Sequence, residues 1–561
     1  MIRGRFDGAT LRWPDDPLLA GDSPFALVEE KVQGEPVAVF RERVRSMRQL
    51  VAESRRFGER EAFVFDERRM SFEAHARSVA SVAAALRERF GIARGDRVAL
   101  AGSNSAEWIV AFSAITCLGG VVAALNAWWT AAELEYGIAL AVPALVLADR
   151  KRAARLASSR LGAPLVVLED ALPGWERHAP GARLPEVEVA EDDPAVILFT
   201  SGTTGRPKGS VNTHRNLFIL ATCTAHAGAS AALRAGPGPG APRAEPCSLS
   251  TLPLFHVSGL HGGLVHTLAL GTRSVWPGGR FDEENVFRLT ERERITTWSF
   301  VPTQLWRVLE HPAFERYDLS SVAFAGGGGA AWAPELTRLL QAKLPNAAAA
   351  MSFGWGQTEC AGMGTVNAAP FAHADPESVG VPRPGVEVQV RDAEGALLPE
   401  GEEGELHLRG ACVMQGYWAD AEANRKTLLP GRWLRTGDFG CIRGGRVYLS
   451  GRRGDLILRG GENIYPIEIE HRLVEHPAIA DAAVYGVPHR VLGQEVEAVV
   501  QLRAGAQLGA DALRAWVGQT LAPFKVPAHV RFHAGPLPRN ATGKVLKHVL
   551  RGEAENSFVE D

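Results

Sequence analysis

From about residue 60 onward, hydrophobic stretches with helical spacing alternate with short uninterrupted apolar runs: RVALAG, ALVLAD, PLVVLE and AVILFT. Runs of this length read as strands buried on both faces, and helices between such strands make parallel sheets. The pattern predicts an α/β protein. From Trp108 to Leu125 the chain carries no charge, over a length that approaches a membrane span. Gly119-Gly120 divides that segment into a helix-like WIVAFSAITCL and a β-branched VVAAL, so it reads as a buried helix turning into a buried strand. The Gly-, Ala- and Pro-rich AGASAALRAGPGPGAPRAE, roughly 227–245, reads as an exposed loop. After about residue 380 the texture changes to VEVQVRD, GELHLRG and GRVYLSG, short alternating strands that predict a small antiparallel, β-barrel-like unit. A second change at GRRGD, 451–455, opens a compact α+β unit with IEIEHRLVEHP and ADALRAWVGQTL as helices and AIADAAVYGVP, VEAVVQL and VRFHAG as strands. The predicted architecture is a large N-terminal body of parallel αβ subdomains plus the barrel-like unit, residues 1–450, and a small α+β C-terminal lobe, residues 451–561.

Composition narrows the function classes. A chain of 561 residues, at about 150 per domain, holds three or four compact units. With 46% hydrophobic and 22% charged residues it can fill several cores, which excludes disorder, collagen-like repeats and a small disulfide scaffold. A net charge of -3 supplies no global basic field for nucleic acid or an anionic membrane surface, so any anion is bound locally. The six cysteines, at 117, 223, 247, 360, 412 and 441, show neither a CxxC pair nor zinc spacing and read as reduced thiols. No apolar stretch follows the N-terminal arginines, so no secretory leader is expected. The expected setting is the cytoplasm, with no nucleic-acid partner and no integral membrane segment; a homodimer is left open.

The clearest chemistry lies in FTSGTTGRPKGS, Phe199 to Ser210, directly after the apolar AVIL. Hydroxyls of Thr200, Ser201 and Thr203 sit among glycines that let backbone N–H groups turn toward an anion, and Lys208 adds a positive charge. The composition is that of a phosphate cradle. It is not a Walker A loop, which needs GxxxxGK followed directly by Ser or Thr.

This loop resembles the signature of the adenylate-forming acyl-CoA synthetases. Six further strings match motifs of that family in order: PLFHVSG at 253–259, GGGGAAWAPEL at 326–336, FGWGQTE at 353–359, TGD at 436–438, GRRGDLILRGGENIYPIEIE at 451–470 and PRNATGK at 538–544. The resemblance covers roughly residues 45–550. It implies an ATP-dependent carboxylate–CoA ligase: a carboxylate attacks the α-phosphorus of ATP, giving acyl-AMP and pyrophosphate, and the thiol of coenzyme A then attacks the mixed anhydride. Both steps gather anions, so positive charge and hydrogen-bond donors are needed where negative charge develops.

The resemblance also implies roles. Lys544 bridges carboxylate and α-phosphate from a mobile lobe; in a chain with only eight lysines among 61 basic residues, Lys208 and Lys544 stand out as point charges. Thr358 contacts the α-phosphate and Glu359 helps hold Mg2+, a hard cation that favours oxygen ligands. The phosphate loop comprises Thr200, Ser201, Gly202, Thr203, Thr204 and Lys208. Gly329, Ala330 and Ala331 line the adenine, with Ala331 in place of a common proline, and Trp355, Gly356 and Gln357 adjoin it. Trp355 stands where the family usually has Tyr, and either ring can stack on a base. Asp438 accepts the ribose hydroxyls and Arg452 reaches the ribose. Gly454 is the lobe hinge, where relatives usually carry Asp or Lys. Gly460, Gly461 and Glu462 belong to the loop lining the CoA tunnel. His256, Gly259, Phe300, Val301 and Gly356 border the acyl pocket, with His256 assigned to substrate contact and not to acid–base chemistry.

Acetate-specific relatives place Trp where this chain has Gly356, so a deeper channel is expected. No Lys or Arg in the pocket motifs is available to pair a second carboxylate. The expected substrate is a medium- or long-chain fatty acid or an aryl monocarboxylic acid. The alternatives are an acyl-AMP ligase that loads a carrier protein and a catalytically silent binding protein on the same fold.

Overall fold

In the computed structural model, residues 3–200, 207–235, 245–330, 332–452, 454–459, 462–540 and 543–553 are described. The apolar runs become Arg97–Ala101, Leu145–Ala148, Leu165–Val167 and Pro194–Thr200. With Val121–Leu125 they form the parallel part of a seven-stranded sheet, extended by the antiparallel Lys208–Thr213 and Gly416–Tyr417. The uncharged segment resolves as read: helix Ala106–Cys117, then the turn at Gly119-Gly120, then the strand Val121–Leu125. Ser105 caps this helix by accepting the Trp108 N–H. From Trp108 on, the helix is apolar all round because it is buried all round, with Trp108 and Phe112 stacked at 5.4 Å between ring centroids. Each such side chain contributes about 1.5–3 kcal/mol when fully buried.

A second, 16-stranded sheet carries most of the site. Its parallel part runs through Glu61–Phe65, Arg273–Trp276, Cys247–Leu249, Thr297–Phe300, Phe324–Gly327 and Ser352–Phe353. The strands after residue 380 are antiparallel, as their alternation predicts: Val386–Arg391, Gly404–Gly410, Trp433–Arg443 and Arg446–Arg452. They have a core of their own, with Val386, Val388, Leu406, Leu408, Leu434 and Val447. Ser378–Pro382 and Thr365–Ala368 join them edge to edge with the parallel strands, so one sheet runs through both regions.

The 227–245 stretch is corrected in part. Helix His214–Ala235 takes in its first nine residues, because Ala-rich AGASAALRA keeps helix propensity despite one Gly; the proline-containing 236–244 lie outside the described residues. Within this helix, His214–Arg234 is long and apolar enough to cross a membrane, yet it packs against the body, beside the helical turns Leu260–Val265 and His266–Leu270.

The C-terminal unit has helices Pro466–Val474 and Ala510–Gly518 and strands Ile457–Arg459, Glu462–Ile464, Ile479–His489, Gly493–Leu502 and His529–Phe532. Ile457, Ile469, Leu473, Val484, Val496 and Leu513 build a core drawn from this unit alone. Its links to the body include polar ones, such as the Arg503–Glu310 pair at 2.6 Å.

Candidate active site

The segment after strand Ser352–Phe353 turns sharply through the 3-10 turn Thr358–Cys360, and this turn sets the nucleotide motif. The Gln357 N–H donates to Cys360 Sγ at 3.3 Å, and the Gln357 amide reaches the Thr436 carbonyl at 3.4 Å. Thr358 and Glu359 are both buried. Gly356 packs against backbone: a Cβ there would lie 2.6 Å from the Gly362 carbonyl oxygen, so close approach requires the glycine. The tight fit of this turn is what requires a glycine at 356.

Asp438 and Arg452 are register partners on adjacent antiparallel strands. The Arg452 Nε–H donates to Asp438 Oδ1 at 2.6 Å, and the indole N–H of Trp355 donates to Oδ2 at 2.7 Å. Asp438 is 4% exposed, so this ion pair is shielded on the carboxylate side, and the nearby negative charge raises the Arg452 guanidinium above its ordinary range. The Asp438 N–H donates to Thr436 Oγ1 at 3.1 Å.

Glu359 is held by a residue that sequence reasoning missed. The Tyr417 hydroxyl donates to Glu359 Oε1 at 2.8 Å, and the Lys208 ammonium lies 5.2 Å from the centre of the Tyr417 ring. Burial, then the Glu359 charge, pushes the Tyr417 hydroxyl pKa up, so it stays a donor. Tyr417 reaches this place because it pairs with Ser210 in the seven-stranded sheet. Thr200 and Lys208 face each other across the antiparallel pair that opens and closes the phosphate loop. Ser201, Gly202, Thr203 and Thr204 lie outside the described residues, as do Ala331, Gly460 and Gly461.

Lys544 sits on a tight turn, its N–H donating to Asn540 Oδ1 and its carbonyl accepting the Asn540 N–H, both at 2.9 Å. Gly543, at φ +77°, brings this turn onto the body: a Cβ there would be 3.0 Å from Val301 Cγ2. Val301 in turn neighbours Gly329, whose Cβ would be 3.8 Å from Cγ1. Lys544 keeps a solvent-exposed surface yet stands in a crowded crevice. Desolvation lowers its ammonium pKa, Arg452 and Lys547 lower it further, and Asp455 and Asp438 act against them. Gly329 and Ala330 are exposed.

The residues expected to border the acyl pocket lie on separate segments, 256–259, 300–301 and 356. Phe300 and Val301 are buried at the end of strand Thr297–Phe300, Gly259 meets the Pro253 carbonyl too closely for a side chain, and Val257 lies 3.5 Å from a Cβ built on Gly362. His256 accepts or donates at 2.9 Å with Ser258 Oγ, and burial pulls its imidazole down to about 4, so it is neutral at pH 7. Gly454 and Glu462 are exposed, on the turn after Arg452 and on strand Glu462–Ile464.

Among the described residues no three His, Cys, Asp or Glu side chains cluster as a metal site. Glu359 nevertheless fits Mg2+: its second oxygen has no protein hydrogen-bond donor among the described residues, and Mg2+ is commonly bound by one or two carboxylates plus substrate phosphates.

Comparison with known proteins finds relatives over most of the chain. Residues 50–418 match the model of the AMP-binding enzyme and residues 468–544 that of the AMP-binding enzyme C-terminal domain. A mitochondrial medium-chain acyl-CoA ligase of Danio rerio is 31% identical, with 91% of this chain and 88% of the relative covered. A feruloyl-CoA synthase of an Amycolatopsis species is 33% identical, covering 85% of this chain and 92% of the relative. The o-succinylbenzoate CoA synthetase of Bacillus subtilis, solved with its acyl-adenylate intermediate, superposes with a TM-score of 0.76 at 27% identity, over 90% of this chain and 97% of that one.

Proposed function

The chain belongs to the AMP-binding enzyme family, and from that premise we propose how its residues divide the work of an acyl-CoA ligase. It is an adenylate-forming enzyme that joins fatty, aryl or similar acids to coenzyme A at the expense of ATP. The finer reading assigns a medium- or long-chain fatty acid or an aryl monocarboxylic acid, handled in the cytoplasm.

Asp438 takes the ribose hydroxyls, and Trp355 and Arg452 hold its carboxylate. Lys208, the loop from Thr200 and Thr358 supply donors to the phosphates. Lys544 brings a positive charge to the acid carboxylate and the α-phosphate, where negative charge builds as the acid oxygen attacks and pyrophosphate departs. Mg2+ held at Glu359 would neutralise phosphate charge. Neutral His256 contacts the acyl chain without exchanging protons. In the second half-reaction the lobe, residues 451–561, turns about Gly454 and presents 460–462 to the pantetheine arm.

The observation that carries this reading is the placement of the Lys544 turn against Val301 while Asp438 is held by Trp355 and Arg452. Relatives named for a medium-chain acid and for a ferulate support the substrate class, as do buried, uncharged Phe300 and Val301. The test is AMP release from ATP and Mg2+ with acetate, octanoate, palmitate, benzoate and ferulate, each with and without CoA. CoA-dependent AMP formation with a hydrophobic acid and little with acetate is the expected result. Acyl-AMP formation indifferent to CoA would replace it with the carrier-protein reading.

A further inference from the structure

Asp438 is bonded from two sides by donors that cannot reverse their role. An indole N–H only donates, and so does a guanidinium. An ionised carboxylate offers about four lone-pair sites, so one bond to each oxygen, from Trp355 at 2.7 Å and Arg452 at 2.6 Å, leaves one further site on each. A vicinal diol carries two hydroxyl donors, the number that this leaves room for. Charge-assisted bonds are short and directional, and here one of them comes from a ring that is itself 7% exposed and belongs to a core that includes Cys360 and Met363. Arg452, by contrast, is half-exposed and stands at the end of strand Arg446–Arg452, two residues before Gly454. Of the two anchors, Trp355 is the one fixed by packing.

We propose that Trp355 is a positioning residue: its indole N–H orients the Asp438 carboxylate so that both oxygens face a cis-diol, and this makes the enzyme select ribonucleotides over deoxynucleotides. The inference rests on the reading above, in which Asp438 receives the ribose, and adds to it a selectivity that a stacking ring alone would not supply. Without the N–H, the carboxylate turns about its terminal torsion, Arg452 alone restrains it, and the second hydroxyl counts for less.

The test compares pyrophosphate release with ATP, 2′-deoxyATP and 3′-deoxyATP, using a turned-over acid and CoA, for the wild type, Trp355→Phe and Trp355→Tyr. Both variants keep a large ring for the core and the base but lack the indole N–H. The wild type is expected to favour ATP over either deoxynucleotide. In both variants kcat/KM for ATP should fall about tenfold, or about 1.4 kcal/mol, and for the deoxynucleotides only about twofold, so that the preference narrows about fivefold. An equal fall for all three nucleotides, as lost stacking or loosened packing would produce, overturns the inference, and so does no fall at all. A wild type that turns over ATP and the deoxynucleotides alike overturns it as well. Absence of any ATP-dependent turnover in the wild type would instead strike the ligase reading itself.

Discussion

Body and lobe bring opposite kinds of group to the cleft. In the body, the polar side chains are partnered within the protein: Asp438 by Arg452 and Trp355, Glu359 by Tyr417, Gln357 by the Thr436 carbonyl. On the lobe, the backbone of Lys544 is tied to Asn540, but its ammonium has no hydrogen-bond partner among the described residues and is held below its ordinary pKa by desolvation. On the proposed reading, the body offers a prearranged surface with little left to reorganise, and the lobe a cation that meets anionic oxygens. Preorganised dipoles do their work without reorganisation at the moment of reaction, and a separately cored lobe can bring a charge and remove it again.

The difference can be broken most severely at Lys544. Lys544→Ala should lower pyrophosphate release about 10²–10³-fold, the usual loss for one donor to a developing charge. Its melting temperature should not fall, because an ammonium whose pKa is lowered by desolvation and by Arg452 and Lys547 does not stabilise the fold by its charge. A melting transition that drops with activity would mean that Lys544 is structural.

Acid should separate the two regions next. His75, His214 and His261 are fully buried in the body, where desolvation lowers their imidazoles to about 3, 4 and 3. His214 Nδ1 accepts the Met47 N–H at 3.2 Å, which only an unprotonated nitrogen can do. Unfolding lets these groups bind protons that the folded body refuses, so their contribution to stability is complete above about pH 6.5 and is lost as pH falls toward 4. Each contributes a slope of up to about 1.4 kcal/mol per pH unit in that window. Calorimetry between pH 7 and 4.5 should show the body's transition falling faster than the lobe's; parallel shifts would sink this expectation.

Two milder changes act at the contact between the regions. Gly543→Ala puts a Cβ at a left-handed φ of +77° and 3.0 Å from Val301, so it should cost about 1–2 kcal/mol in the lobe orientation that presents Lys544. Adenylation should fall about tenfold while conversion of preformed acyl-AMP by CoA falls less; equal losses would place the strain elsewhere. Arg503→Ala removes a partly exposed pair with Glu310, and its effect on adenylation should stay below about 1 kcal/mol, read as less than a fivefold change in the same assay.

Much of the fold was legible because burial writes itself into local pattern. RVALAG and AVILFT have no polar alternation, and they lie in a sheet covered by helices such as Ala106–Cys117. The same locality misled at Ala227–Ala235, where the prolines further on coloured the reading of an Ala-rich helix end. It also hid the continuity of the 16-stranded sheet, since the Thr365–Val366 pairing with Val381–Pro382 that joins its halves leaves no mark in either strand's alternation. The site shows the same limit. Asp438 and Arg452 were named from separate motifs, but their shared bond follows from strand register. Tyr417 and Thr436 were missed because what makes them matter is their neighbours: Tyr417 pairs with Ser210, and Thr436 meets both Gln357 and Asp438. A Tyr following Gly416 in a strand opposite the phosphate-loop strand was the available signal. The sequence shows Gly356 only as a small residue, whereas the fold adds that its Cβ position faces the Gly362 backbone.

The division of labour between the regions is tested most directly by separating the half-reactions in one variant. Lys544→Ala, supplied with ATP and a hydrophobic acid, should release almost no pyrophosphate, yet when supplied with synthetic acyl-AMP and CoA it should form acyl-CoA at close to the wild-type rate. Equal loss of both half-reactions would contradict the account, because Lys544 would then be a fixed member of the site and not a charge that the lobe delivers for one step.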